Sequence, residues 1–517
     1  MAALSPSDAA SADTLPARAD LAAWLAVVAG TIGALMATLD ISIVNSSLPT
    51  IQGEIGASGT EGTWIATSYL VAEIVVIPLT AWLQRLFGLR TLLLWAVSLF
   101  SAFSMLCGLS DDLGTMVVGR VGQGLTGGIL IPTAMTIIAT RLPPMQQPVG
   151  IAFFGATAIL GPVVGPLMGG WLTENLSWHY AFFINLPIGV FLIGLLLLGL
   201  ENEKLRLEEL FNADWLGILG LIFGLGGLTI VLEEGNREEW FASTYIVLMT
   251  AMAVMGFLLL FAGQIVARKP VIKLSLLLNR AFGSVFVMSL ALGAVLYGVA
   301  FVIPQFLAAI AGYNALQAGQ IVAISGVPSM IMMMMVPILL RHIDVRVAVT
   351  AGLLILGTSS LLDAALTTQS GGEEFILSQL LRGTGQILVM LFLNQSAIRS
   401  VPPSDAADAS GLFSAGRNLG GSIGLALLGM LQDQRLHFHE RSLESAISAN
   451  SLMGQDFIAA NGGGTAAAIK LQQIIAQQAL VITYNDVFHV VGIGVLCVLP
   501  FVFLLRPIKF KQAVAMH

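Results

Sequence analysis

Fourteen stretches of about 20 apolar residues follow one another along this 517-residue chain, and a helix of that length spans the hydrocarbon core of a bilayer. They run approximately over 22–46, 62–83, 91–109, 114–139, 147–170, 180–200, 214–233, 244–266, 281–303, 316–340, 347–366, 375–399, 408–432 and 487–506. The chain is 56% hydrophobic and only 10% charged, against roughly 25% charged residues in soluble domains. The fold class this implies is an all-α polytopic membrane protein. Most of its charges lie in the gaps between spans and in the tails, so the net charge of −7 points to no nucleic-acid partner. The apolar run after the polar, Ala/Ser-rich residues 1–21 is too long for a signal-peptide core and lacks an A-x-A-like cleavage site, so it reads as a retained first helix. Cys107 and Cys497 fall in different spans, which argues against a disulfide framework or a thiolate metal site.

An even number of spans puts both termini on one side. With the termini cytoplasmic, sixteen Lys and Arg residues face inward and four outward, and Arg120, Arg382 and Arg417 remain in the membrane; these account for all 23. The positive-inside rule favours that orientation strongly. The one long outer connection, 433–486, contains a polar stretch, a break at Gly462–Gly464 and a second helix-like run. It reads as a helical hairpin that either packs on the protein itself or docks a periplasmic partner. His437 and His439 lie there without further acidic or thiol ligands, so no metal site is expected.

An internal repeat organises the rest. Span 4 carries GRVGQGLTGG and span 12 LRGTGQILVM, while spans 5 and 13 are both rich in glycine and small residues. Two six-helix halves, 22–200 and 281–506, with two extra helices between them in 201–280, produce this offset of eight. The remainder is a cytoplasmic tail at each end, 1–21 and 507–517.

Several segments carry a family resemblance: LDISIVNSSLP from Leu39, WIATSYL from Trp64, the run at Arg120, GPVVGPLMGG from Gly161, WHYAFFINLPIG from Trp178, Asp-Trp-x-Gly at Asp214, PVIKLSLLLNRAF from Pro270 and ASGLFSAGRNLGGSIG from Ala409. Together they resemble the fourteen-helix drug:proton antiporters of the major facilitator superfamily, the EmrB/QacA type, and the outer hairpin resembles the EmrB side of that family. The resemblance implies a bacterial inner-membrane location, a central cavity faced by spans 1 and 4, and a periplasmic adaptor protein and outer-membrane channel as partners. It also assigns the span 5 motif, Gly161, Pro162, Gly165, Pro166, Gly169 and Gly170, to exporters whose halves rock against each other near it. One departure stands out. The loop after span 2 reads AWLQRLFGLR, with Arg85 where the family places an acid, so the inner-face latch that this acid helps to form is not expected.

Asp40, Glu73 and Arg120 are ionisable groups inside apolar spans, where even the lenient insertion scale charges at least ~2.5 kcal/mol for an ion. Asp40 lies six residues below the outer end of span 1, ~9 Å at 1.5 Å per residue, and Arg120 lies at nearly the same depth in span 4. A carboxylate and a guanidinium at matched depth suit proton coupling, or else a permanent structural ion pair. Glu73 has no basic residue in its span and suits a group that binds and releases protons, recognises a cation, or hydrogen-bonds to a neighbouring helix. Arg382, the repeat counterpart of Arg120, has no acidic partner evident in the apolar core, and Asp363 reads as interfacial. Asn45, Trp64, Tyr69, Gln123, Arg382 and Arg417 are the expected cavity residues. The run Met330–Met335 reads as lipid-facing or bundle packing rather than as a binding site.

No G-x-x-x-x-G-K-[ST] motif and no Gly-Lys pair occurs, so the expected energy source is the proton gradient, with no cofactor and no enzymatic domain. The expected function is a proton-coupled multidrug exporter of hydrophobic, cationic or amphipathic drug-like compounds. Two alternatives stand beside it: a narrow exporter of a metabolite or fatty acid, suggested by Arg382 and Arg417, and a non-transporting scaffold or receptor acting through the hairpin.

Overall fold

Each expected span is helical over most of its described residues. The computed structural model describes residues 18–58, 61–447 and 451–505, with the side chains at 158, 159, 162, 163, 315, 336, 337, 341 and 403 outside the description. The 507–517 tail and most of the 1–21 tail therefore lie outside the described residues. The helices are α1 (Leu21–Glu54), α2 (Trp64–Phe87), α3 (Leu89–Gly108), α4 (Leu113–Arg141), α5 (Gln147–Asn175), α6 (Tyr180–Gly199), α7 (Trp215–Glu234), α8 (Thr244–Val266), α9 (Arg280–Ala309), α10 in two pieces (Ala315–Ala323 and Gly326–His342), α11 (Val345–Leu362), α12 (Phe375–Arg399), α13 (Ala406–Ala446) and α14 (Gly464–Cys497). Among the described residues, twelve helical stretches are long and apolar enough to cross a membrane. The expected spans outside that set, α5 and α13, are helical too. In α13 the apolar character is diluted by glycines, serines, Arg417 and Asn418, many of them buried against protein rather than facing outward.

The helix starts follow from the sequence. Asp20, Asp112, Asp214, Asn279, Asn314 and Asp344 each accept a backbone N–H of the first turn of α1, α4, α7, α9, α10 and α11, which satisfies one of the donors every helix start leaves open. Asp214 does more: its second oxygen accepts from Val271 N at 3.4 Å and ties α7 to the connection after α8.

In the first half α1 packs on α4, α5 and α6, α2 on α4, and α3 on α4 and α6; in the second, α9 packs on α12 and α13, α11 on α12 and α14, and α13 on α14. The inserted α7 and α8 pack chiefly on each other, and α7 also touches α2 and α13. Glycine makes the closest crossings possible. A Cβ at Gly420 would run into the Leu290 carbonyl of α9, and one at Gly256 into the α7 backbone at Gly224, as in membrane bundles where small residues let helix backbones touch.

The halves meet where α2 packs on α13 and α5 on α10. On the face opposite the 433–486 segment they are also held by charge: Arg85 of α2 lies 3.6 Å from Asp408 of α13, and Lys273 pairs with Asp405. The Lys273 ammonium holds the Asp405 carboxyl below the usual carboxylate range. Ser410 Oγ donates to the Pro132 carbonyl at 3.4 Å beside them. The expectation of no latch is therefore corrected. Arg85 stands where the family places an acid, and it meets an acid of the other half, Asp408. Gly88, at φ +75°, ends α2 in a conformation an L-residue rarely adopts and lets the chain turn directly into α3.

The 433–486 segment is a helical hairpin built by extension. α13 runs on to Ala446, ~20 Å past residue 432 at 1.5 Å per residue. A short helix, Leu452–Ala460, and the positive-φ glycines Gly462, Gly463 and Gly464 return the chain into α14. The arms are pinned by Asp486 of α14, which accepts from Arg435 Nε at 3.1 Å and hydrogen-bonds to His439 Nε2 at 2.8 Å. This end of the bundle is called the hairpin face below.

Candidate coupling network and central cavity

Asp40 and Arg120 meet, as their matched depth predicts. Arg120 Nη1 donates to Asp40 Oδ2 at 2.6 Å, and the other oxygen, Oδ1, accepts from Gln123 Nε2 at 2.9 Å and Asn185 Nδ2 at 2.7 Å. Four helices contribute. Asp40 comes from α1, Arg120 and Gln123 from α4, Asn185 from α6, and Ser104 of α3 sits behind, accepting from Gln123 at 3.1 Å and Asn185 at 2.9 Å. Arg120 Nε donates to the Ile65 carbonyl of α2 at 2.9 Å, and its guanidinium lies 4.3 Å from the Tyr69 ring centroid. None of Asp40, Ser104, Arg120, Gln123 and Asn185 is more than 2% exposed. Removed from water, a carboxylate is stable only when it is paired and its lone pairs are filled, and here three donors converge on it.

The network lies inside the first half rather than on a cavity wall. Between the halves is a separate cavity of about 310 Å³. The α1 residues Thr38, Ile41 and Ser42, which flank Asp40 in sequence, line one side of it, and Arg382 and Arg417 line the other. Asp40 therefore faces away from the cavity on the same turn of helix that forms its wall. Of the expected cavity residues, Asn45, Arg382 and Arg417 are in the lining. Gln123 and Tyr69 belong instead to the Asp40–Arg120 network, and Trp64 packs edge-on against Tyr245 of α8, ring centroids 6.5 Å apart.

Glu73 is buried on α2, at 1% exposure, with Arg417 and Asn418 of α13 as its neighbours across the seam between the halves. Its Oε2 has no hydrogen-bond partner. The two buried carboxylates thus differ in kind: Asp40 is saturated within one half, whereas Glu73 stands where two halves meet.

Two expectations about the second half are corrected. Arg382 does have an acidic partner, since its Nη2 donates to Asp363 Oδ2 at 2.7 Å, and Asp363 is buried rather than interfacial. The acid sits at the end of α11, the counterpart of α3, whereas the acid of the first half sits on α1. The repeat conserves the arginine and moves its partner to another helix. Arg382 is only 5% exposed, and its Nε and Nη1 have no partner.

The span 5 motif makes the close helix approach its small residues imply, and that approach is to α1. Added Cβ atoms at Gly161, Gly165 and Gly169 would meet Thr38, Ser42 and Ser46 of α1, so this glycine face packs within the first half. Pro166 approaches the other half, 3.7 Å from a Cβ built at Gly319 of α10, and Gly170 has open space around it. The side chain of Pro162 lies outside the described residues. In the run Met330–Met335, Met330, Met334 and Met335 are exposed on the outer surface of α10, as a lipid-facing stripe would be.

Sequence reasoning missed the neutral partners. Asn185 and Ser104 complete the Asp40 shell, and an amide or hydroxyl inside an apolar run barely changes its hydropathy. It also missed the end of α7, where Glu234 accepts from Thr67 of α2 at 2.8 Å and Glu233 accepts from Ser422 of α13 at 2.6 Å, so that α7 bridges the two halves on the hairpin face.

The family model described as Major Facilitator Superfamily matches residues 30–425. The "Colistin resistance protein EmrB" of Acinetobacter baumannii is 31% identical over 480 residues, 91% of this chain and 94% of that protein. The "Multidrug export protein EmrB" of Escherichia coli strain K12 is 30% identical over 469 residues, 89% of this chain and 91% of that one. Among solved structures, the proton:xylose symporter XylE superposes with a TM-score of 0.62 at 14% identity, covering 94% of this chain and 96% of XylE; at that identity the likeness concerns the fold alone. With its helical halves, its matching family model and relatives aligned over nearly their whole length, the chain is a multi-pass membrane protein that belongs to the Major Facilitator Superfamily.

Proposed function

We propose that this protein is a proton-coupled multidrug exporter that moves hydrophobic, amphipathic drug-like compounds out of the cytoplasm by alternating access. The observation that carries this reading is the adjacency of buried ionisable groups to a cavity between two repeated halves. Asp40 sits on the same α1 turn as the cavity residues Thr38 and Ile41, and Glu73 abuts the cavity residue Arg417. The names of the EmrB relatives, aligned over about nine-tenths of the chain, support the same activity.

The chemistry follows from the donors. An ionised Asp40 holds Arg120, Gln123 and Asn185 together and so fixes α1 against α4 and α6. A proton arriving on Asp40 weakens these charge-assisted bonds, loosens α1 and reshapes the wall on which substrate rests. Glu73 takes its proton at the α2–α13 seam, where neutralising it removes its attraction for Arg417 and changes how the halves adhere. Opening toward the cytoplasm requires parting Arg85 from Asp408 and Lys273 from Asp405. In this reading both termini are cytoplasmic, the membrane is the bacterial inner membrane, and the hairpin formed by α13 and α14 meets a periplasmic adaptor that leads to an outer-membrane channel.

The test is drug tolerance. Expressed in a bacterial host lacking its own major efflux pumps, the protein should raise tolerance to several structurally unrelated hydrophobic compounds, and an Arg85→Glu variant, which repels Asp408, should lose most of that gain. Unchanged tolerance across the panel in cells shown to contain the protein in the membrane contradicts the proposal.

A further inference from the structure

The inserted helix α7 is bonded to the first half at both of its ends. In its lead-in, Arg206 N donates to the Leu86 carbonyl of α2 at 2.9 Å, and Trp82 Nε1 of α2 donates to the Glu209 carbonyl at 3.4 Å. At the hairpin face Glu234 accepts from Thr67 of α2 at 2.8 Å, and Arg237, paired with Glu234 at 2.6 Å, donates to Thr63 Oγ1 just before α2. Between these ends Gly226 faces Val71 and Val75 of α2, and Trp64 of α2 meets Tyr245 of α8. The bonds to the second half come from the last turn and the residue just past it. Glu233 accepts from Ser422 of α13 at 2.6 Å, and Asn236 Nδ2 donates to Asp433 Oδ2 of α13 at 3.1 Å.

The two sets of bonds differ in how easily they part. Thr67 and Glu234 are both buried, so separating them would leave a carboxylate oxygen without a partner in a dry seam. Glu233 and Asn236 are half-buried and Asp433 is exposed, so water can take over each of these bonds as it breaks. Each bond to α13 is also one carboxylate against one neutral donor, firm enough to hold and without a buried ion pair to separate. The turn after α7 is shaped around this contact. Glu239 and Trp240 adopt left-handed backbone, φ +55° and +54°, which non-glycine residues rarely take. Trp240 Nε1 donates to Asn236 Oδ1 at 3.1 Å, which fixes the amide with its NH2 toward Asp433.

We propose that α7 and α8 form a strap that gates the hairpin face. They move with α2 as part of the first half, and this face opens where Glu233 and Asn236 release Ser422 and Asp433. The inserted pair is then a working part of alternating access. This rests on the exporter reading above and identifies which contact breaks in its outward step.

The test is a pair of distances measured by double electron–electron resonance on the full-length protein in lipid nanodiscs, in a Cys107→Ser/Cys497→Ala background that removes both native thiols. Spin labels are placed at exposed positions: Phe241 after α7, Asp111 before α4 and Ser442 on the extension of α13. Releasing the strap with Ser422→Ala/Asn236→Ala should raise a longer Phe241–Ser442 component by about tenfold or more relative to the shorter one, the shift that losing a hydrogen bond to a carboxylate gives. The Phe241–Asp111 distance should not change. Should the double variant fail to fold, Glu233→Gln, which keeps an acceptor for Ser422 and removes the charge, should give the same pattern at smaller amplitude. A change in the Phe241–Asp111 distance, or no change in either distance, overturns the proposal. Both distances are read without gradient or substrate, so the outcome is separate from that of the exporter reading, which stands or falls on drug tolerance.

Discussion

Asp40→Asn is expected to abolish gradient-driven efflux and to lower the stability of the protein by about 3–5 kcal/mol, the cost of removing one partner from a buried ion pair. The substitution keeps the shape of the side chain and deletes the charge. Arg120 is then left uncompensated at 1% exposure, and the new amide must present its NH2 to Arg120 on one side or to Gln123 and Asn185 on the other, all of which are donors. The control is the double variant Asp40→Asn/Arg120→Gln. Replacing both charges at once should recover most of the stability, because no buried charge remains unpaired, yet efflux should stay absent. Thermal unfolding in detergent and efflux from intact cells read the two quantities separately. Recovery of efflux in the double variant would mean that the pair only fixes helix packing.

Glu73→Gln should give the complementary result, with stability nearly unchanged and proton coupling lost. Glu73 Oε2 makes no hydrogen bond and the group forms no ion pair within 4 Å among the described residues; an amide can keep the side-chain hydrogen bond to Asn418, so what it gives up in stability is the longer-range attraction for Arg417. It also gives up the ability to exchange a proton at the seam between α2 and α13. Substrate exchange across proteoliposomes, which needs no net proton movement, should persist, while the response to an imposed pH gradient falls by on the order of tenfold or more, the factor that ~1.4 kcal/mol of lost coupling gives. Equal loss of exchange and gradient response would make Glu73 a substrate-binding carboxylate instead.

The fold was legible because lipid imposes a coarse rule: about 20 apolar residues make a helix, whatever they pack against. Depth was legible for the same reason, since 1.5 Å per residue along a nearly straight helix brings Asp40 and Arg120 to one level. What depth does not encode is azimuth. Gln123, one turn beyond Arg120, is drawn into the Asp40 shell, and Tyr69 lies under the guanidinium rather than on the cavity. Asp363 reads as interfacial because it stands at a helix end, but the neighbouring helices bury it and Arg382 reaches it. The glycines of α5 announced a close crossing without naming the partner, which turned out to be α1 of the same half. Arg85 is the clearest case. The motif is broken at that position, yet Arg85 finds an acid on α13, more than 300 residues away in sequence.

The central claim, that proton movement drives cargo across this protein, is tested most directly in proteoliposomes. An acid-inside pH gradient should drive uptake of a hydrophobic fluorescent probe such as pyrenebutanoate well above that of protein-free liposomes. The uptake should vanish when a proton–potassium exchanging ionophore collapses the gradient, and should be absent in Asp40→Asn. Uptake of the same rate and extent with the gradient present and collapsed would contradict the account.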